Sequence, residues 1–220
     1  STANAQIYST RSWKENIKSV QIANYQRSPR YPVVDLESGE QITLTFADLN
    51  SNATTYSYRI VHCSADWKKS TIQESEYMDG FFINYIDEVS TSSNTYFTYD
   101  HYRLTLPNDN WKFKISGNYA IEVFQDNDQE RPVVTACFSV VDPKVNIHAQ
   151  ATARTNISYQ KDFQQVNLDI DYSQYDIKDP LNEIWVEVTQ NGRKDNRVHL
   201  SMADYIERQT LRYLNNPKLI

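Results

Sequence analysis

The chain has 220 residues, enough for one large β domain or two smaller ones. With 40% apolar and 23% charged residues, it lacks the low-hydrophobicity, high-charge composition of a disordered chain. The net charge of −6 sits in the first part, with 12 basic against 18 acidic side chains up to Asp142 and 10 against 10 from Pro143. Such an acidic surface repels phosphate and argues against nucleic acid and anionic lipid as partners.

Residues 1–12 begin STANAQIYST and read as a polar N-terminal tail, fitting either the remnant of a processed leader or a boundary. From there, period-2 alternation bounded by Gly, Pro, Asn or Asp is the strand signal. It predicts strands over 16–23, 31–36, 41–46, 56–63, 98–106, 118–124 and 133–141. Within 41–46, Ile42, Leu44 and Phe46 share one face, and Thr43 and Thr45 the other. Asp142-Pro143 ends this series, since proline cannot donate to a ladder. A second series follows over 145–153, 165–172 and 183–189, with a turn at Asn191-Gly192. No sustained 3.6-residue stripe is present. The best helical candidate is 201–214, of which 210–214 reads equally well as a strand. The expected fold class is all-β, with two consecutive immunoglobulin-like or fibronectin-type β-sandwich domains. Residues 13–142 form the first and 143–220 the second. The second is expected to be truncated, because about 100 residues is usual for a sandwich.

Ser116-Gly117-Asn118-Tyr119 has the form of a tyrosine corner, in which the hydroxyl bonds back to the upstream backbone. The residue two beyond that tyrosine, a cysteine in immunoglobulins, is Ile121, so a Cys63–Cys137 bridge is poorly supported. His62, Cys63 and Asp66 suggest a metal set, but residues 62 and 63 point to opposite faces of a regular strand and cannot ligate one ion. We expect no metal and no cofactor.

Residues 73–88 carry Glu74, Glu76, Asp79, Asp87 and Glu88 beside Tyr77, Phe81, Phe82 and Tyr85, without Lys or Arg. Three readings compete here: a solvated loop whose aromatics cover the core edge, a protein contact with aromatic anchors, and a calcium site. The acidic spacing is not that of an EF-hand. Only 4 glycines occur, which leaves little room for a phosphate-cradling loop. GxSxG and HExxH motifs are absent, so no catalytic residue is assigned. Trp13, Trp67 and Trp111 are the aromatics to test for stacking on sugars. No apolar run approaches the ~20 residues of a membrane span, so direct membrane insertion is not expected.

Several segments together resemble a known family. They are Ile17-Lys18-Ser19-Val20 with Pro32-Val33-Val34-Asp35-Leu36, then Ile60-Val61-His62-Cys63 with Asp66-Trp67. Glu76-Tyr77-Met78-Asp79-Gly80-Phe81, Tyr102-Arg103-Leu104-Thr105-Leu106-Pro107-Asn108 and Ser116-Gly117-Asn118-Tyr119 follow in order. The pattern resembles the type IX secretion system plug protein family of Bacteroidetes over residues 13–142, and the later part resembles the start of the next domain. The resemblance implies a non-enzymatic, exported periplasmic protein associated with the outer membrane. Such a protein closes the periplasmic mouth of a very large outer-membrane β-barrel translocon. It implies that His62, Cys63, Asp66, Trp67, Gly80, Tyr102, Pro107, Asn108, Gly117, Asn118 and Tyr119 are fold residues. For a partner contact the expected residues are Glu76, Tyr77, Asp79, Phe81 and Phe82, with the acidic domain facing a basic rim. The alternatives are a carbohydrate-binding module of the cell envelope, with glycans as ligands, and a structural spacer.

Overall fold

The alternation read from the sequence is realised as strands. The computed structural model describes residues 6–50, 52–92, 98–126, 128–152, 165–190 and 195–219. The chain separates into two units, Ser1–Asp142 and Pro143–Ile220.

In chain order the first unit contains β1 (Arg11–Ser12), β2 (Ile17–Ala23), β3 (Val33–Asp35), β4 (Ile42–Asp48) and β5 (Tyr56–Cys63). After them come the single-turn helix α1 (Glu74–Tyr77), β6 (Met78–Gly80), β7 (Asn84–Tyr85), β8 (Glu88–Ser92) and β9 (Tyr99–Leu106). It ends with β10 (Trp111–Phe113), β11 (Gly117–Gln125) and β12 (Val134–Val141). One sheet runs β1-β12-β11-β5-β7, with β3 parallel to β12, and the other runs β2-β4-β9-β8. Strands β6 and β10 form a separate antiparallel ribbon.

The inward positions of both sheets make one core. Ile42, Leu44 and Phe46 of β4 and Tyr102, Leu104 and Leu106 of β9 meet Tyr56, Tyr58 and Ile60 of β5. Tyr119, Ile121 and Val123 of β11 and Ala136, Phe138 and Val140 of β12 complete it. At one end Phe46 stacks on Tyr102 with centroids 5.1 Å apart, and Tyr56 stands edge-on to both rings. Each such pair contributes about 0.5–1.5 kcal/mol beyond burial. The polar tips are satisfied, since the Tyr56 hydroxyl donates to Asp48 at 2.9 Å and the Tyr102 hydroxyl to the Thr54 carbonyl at 2.7 Å.

Residues 7–12 correct the expectation of a tail. Tyr8 is buried, Ile7 bridges to Lys68, and Arg11 and Ser12 pair with Thr135 and Val134. The polar composition of the segment hid one aromatic anchor and an open strand edge to pair with.

The second unit comprises β13 (Asn146–Thr152), β14 (Gln165–Asp171), α2 (Pro180–Glu183), β15 (Val186–Val188), β16 (Val198–Leu200), β17 (Tyr205–Glu207) and β18 (Thr210–Tyr213). Its sheet has the order β13-β14-β18-β17, and β15 pairs with β16. Leu168, Ile170, Leu211 and Tyr213 pack with Val186, Leu200 and Leu219. Residues 201–214 form no helix; β17 and β18 make a hairpin there, with Glu207 opposite Thr210. Arg208 adopts a left-handed φ of 56° in the turn, and Leu211 and Tyr213 alternate into the core. Packing of that period-2 pair outweighs the weak helical pattern. The segment 183–189 is strand only at Val186–Val188, because Pro180 opens a helical turn that runs to Glu183. Asn191-Gly192 lies outside the described residues.

Candidate interaction surface

The acidic, aromatic segment is pinned to the sandwich at short intervals, which decides what each side chain can reach. The Glu76 carboxylate accepts the Gln73 N–H at 2.9 Å, a capping contact for α1. The helical turn then drives Tyr77 inward. It is 2% exposed, its hydroxyl donates to the Ile60 carbonyl at 3.0 Å, and its ring lies 5.6 Å from His62. Burial pushes its hydroxyl pKa up to about 12. β6 next pairs with β10, placing Gly80 opposite Trp111. Gly80 has φ +134°, and a Cβ there would lie 2.1 Å from the Asn110 carbonyl oxygen, so only glycine fits. The chain then turns outward. The Asn84 amide holds the turn by donating to the Phe81 carbonyl at 2.8 Å, and Ile86 N–H returns to the Tyr56 carbonyl at 2.9 Å.

Between these pins the surface presents Phe81 at 68% exposure, Phe82 at 42%, Tyr85 at 50% and Val89 at 49%. Asp79 is exposed beside them. Tyr77 is therefore corrected from a surface contact to a core residue, and Glu76 spends its carboxylate on the helix cap. Tyr85 and Val89 join the exposed set instead. Strands β7 and β8 are the terminal strands of their two sheets, so the patch spans one side of the sandwich. The local charge also differs from the sequence reading. Lys112 stands opposite Asp79, Arg103 pairs with Glu88 at 3.3 Å, and the Lys114 ammonium donates to the Ser75 carbonyl at 2.7 Å. Cations from β9, from β10 and from the residue after it thus accompany the acidic run.

The remaining motif residues build corners. The Tyr119 hydroxyl donates to the Ile115 carbonyl at 2.7 Å, the back-bond of a tyrosine corner. Its ring stands edge-on to His62 at 5.0 Å. Gly117 has φ +146°, and a Cβ would fall 2.3 Å from His62 Nε2. Burial holds the His62 imidazole below its usual pKa, partly countered by the Ser116 backbone. Asp66 accepts from Lys68 and Ser64, which lower its pKa to about 2, in the turn where Trp67 takes φ 62°. Asn108 donates to the Thr105 carbonyl at 3.2 Å and accepts the Asn110 N–H at 3.0 Å, and the Pro107 carbonyl accepts from Gln41. Asn118 ties the Ser64 carbonyl to the Ser139 hydroxyl.

His62 faces the main core and Cys63 the opposite side of β5. Among the described residues, no group of three or more His, Cys, Asp or Glu side chains could hold a metal ion, and no helix is long and apolar enough to cross a membrane. Of the three tryptophans considered for sugar stacking, two are packed into the fold and Trp13 stays 46% exposed. Trp111 is buried, Trp67 packs on a core cluster, and the Arg11 guanidinium lies 3.9 Å over the Trp13 ring.

Residues 17–142 match the family model for the first domain of the type 9 secretion system plug protein. The chain belongs to that family. It is similar to a hypothetical protein from Parabacteroides merdae ATCC 43184, known from a crystal structure, at 36% identity and a TM-score of 0.90. The similarity covers 97% of this chain and 54% of that one, so the chain spans about half the length of that relative. No curated protein matches it. The family takes its name from the type 9 secretion system, and the motif residues named above fall within the matched domain.

Proposed function

We propose that this protein is a non-enzymatic, exported envelope protein that binds the outer-membrane β-barrel translocon of the type IX secretion system and closes its periplasmic mouth. The observation that carries this reading is the family match over residues 17–142. The contact surface we assign is Phe81, Phe82 and Tyr85, with Asp79 and Val89 at the margin. Aromatic anchors exposed on a rigid β scaffold suit such a role, because they bury a large area at small entropic cost. Closure of a pore by a sandwich requires protein contacts alone and no chain within the lipid.

The test is capture of the tagged full-length protein from detergent-solubilised envelope of its native organism, with mass spectrometry of what accompanies it. Recovery of a very large outer-membrane barrel by the wild type, and its loss with Phe81→Ala/Phe82→Ala, supports the proposal. Recovery of glycan-utilisation proteins alone, or of no barrel, overturns it.

A further inference from the structure

The outer face of β5, β11 and β12 carries a second, small apolar cluster, separate from the sandwich core. Val61, Cys63, Ala120 and Cys137 form it together with Tyr8, and Trp67 packs at its margin. Register explains the grouping, since Ala120 stands opposite both Val61 and Cys137. Neither sulfur is in a disulfide. The two lie on strands separated by β11 and are offset by two residues along it, Cys63 opposite Asn118 and Cys137 opposite Ala120, so their Cα atoms are at least roughly 9.5 Å apart, beyond the reach of a disulfide.

Residues 7–12 lie over this cluster through a short set of fastenings. Tyr8 N–H donates to the Trp67 carbonyl at 2.8 Å, and the Tyr8 hydroxyl to Glu122 Oε1 at 3.1 Å. The Glu122 carboxylate is buried and also pairs with Arg59. The Thr135 hydroxyl donates to the Ser9 carbonyl at 2.6 Å, and Cys137 N–H donates to Thr10 Oγ1 at 2.9 Å. Beyond these, the described contacts are the single Ile7–Lys68 bridge and the two-residue ladder of β1 on β12, which the Trp13 N–H continues to the Val133 carbonyl at 2.9 Å. One aromatic ring and a two-residue strand are a small attachment beside the seven-pair and eight-pair ladders that β11 makes with its neighbours. Local opening costs less than global unfolding where buried contacts are few.

We propose that residues 7–12 are a releasable cover, latched by Tyr8, that withholds Cys63 and Cys137 from thiol-reactive electrophiles and disulfides. Its opening leaves the sandwich folded and bares the two sulfurs together with Val61 and Ala120. The latched state suits an oxidising compartment, where an accessible thiol is drawn into mixed disulfides. Burial also pushes the Cys63 thiol up to about 12, so the covered sulfur is the unreactive protonated form at neutral pH.

The experiment is maleimide labelling of the full chain under native conditions for wild type, Tyr8→Ala and Tyr8→Phe, with mass spectrometry assigning label to Cys63 or Cys137. Hydrogen exchange of the Ile121 and Val123 amides, at the centre of the sheet, is followed in parallel. The expected result is labelling about tenfold faster or more in Tyr8→Ala at both cysteines, with Ile121 and Val123 exchange unchanged. Tyr8→Phe, which keeps the ring and loses the Glu122 bond, should fall between. Equal labelling in wild type and Tyr8→Ala would overturn the proposal. So would labelling that rises in step with Ile121 and Val123 exchange, or wild-type thiols that react like exposed ones.

Discussion

Replacing Tyr77 and Phe81 by alanine, one at a time, separates folding from binding within four residues of chain. The Tyr77 ring is 2% exposed, lies against His62 and Tyr119, and its hydroxyl donates to the Ile60 carbonyl. Truncating a buried aromatic costs about 3–5 kcal/mol, and the orphaned carbonyl adds about 1 kcal/mol. For a unit of this size each kcal/mol lowers the melting temperature by roughly 2–4 °C, so Tyr77→Ala should melt on the order of 10 °C lower. Phe81 is 68% exposed, and its truncation should change stability by less than about 0.5 kcal/mol, or roughly 2 °C. Under the proposed function, Phe81→Ala should weaken capture of the translocon by about tenfold or more. Circular-dichroism melts and the envelope capture assay read the two effects independently. A Phe81→Ala melt about 10 °C below wild type, or a Tyr77→Ala melt equal to wild type, would refute the assignment of these residues to surface and core.

Gly117→Ala should destabilise the first unit by about 1–3 kcal/mol in urea, because φ +146° strains any side chain and its Cβ meets His62. His62→Ala in the same chain should recover part of that loss, whereas simple additivity would show that the ring contact is irrelevant. Burial alone would raise the Asp48 carboxyl, but the Asn50 N–H, the Asn16 amide and the Tyr56 hydroxyl together outweigh it and leave its pKa depressed. A depressed carboxylate stabilises the fold above its unfolded pKa of about 4, and that contribution is lost as pH falls through the folded value. The stability gap between wild type and Asp48→Asn, measured by thermal melts, should therefore narrow below about pH 4; a gap constant to pH 2 would contradict it. With Lys112 beside Asp79 and Arg103 on Glu88, capture of the translocon should change by less than about threefold between low and high salt. A steep salt dependence would favour a basic rim on the partner instead.

Much of the first unit was legible from the sequence because strand alternation is a local signal. Ile42, Leu44 and Phe46 share the core face that their spacing predicts, and residues 56–63 form a strand with His62 and Cys63 on opposite sides. Which residues of the proposed contact segment are exposed was only half legible. Phe81, Phe82 and Asp79 are exposed, but a single helical turn ending at Tyr77 rotates that ring inward, and such a turn leaves almost no periodicity to read. Tyr85 and Val89 carry no sequence mark that separates an exposed aromatic or aliphatic residue from a buried one.

Composition and alternation alone determined an all-β chain, acidic in its first part and poor in phosphate-binding glycines, because these properties depend on residue type and near neighbours. The motif order, read as a resemblance, determined the family. Tertiary structure decided where charges meet, placing Arg103, Lys112 and Lys114 from distant parts of the chain beside an acidic run without cations of its own. It also decided that residues 7–12 belong to the fold, through a hydroxyl at position 8 and a carboxylate at position 122. Both are contacts between residues far apart in the chain, which exist only once the sheets have brought them together.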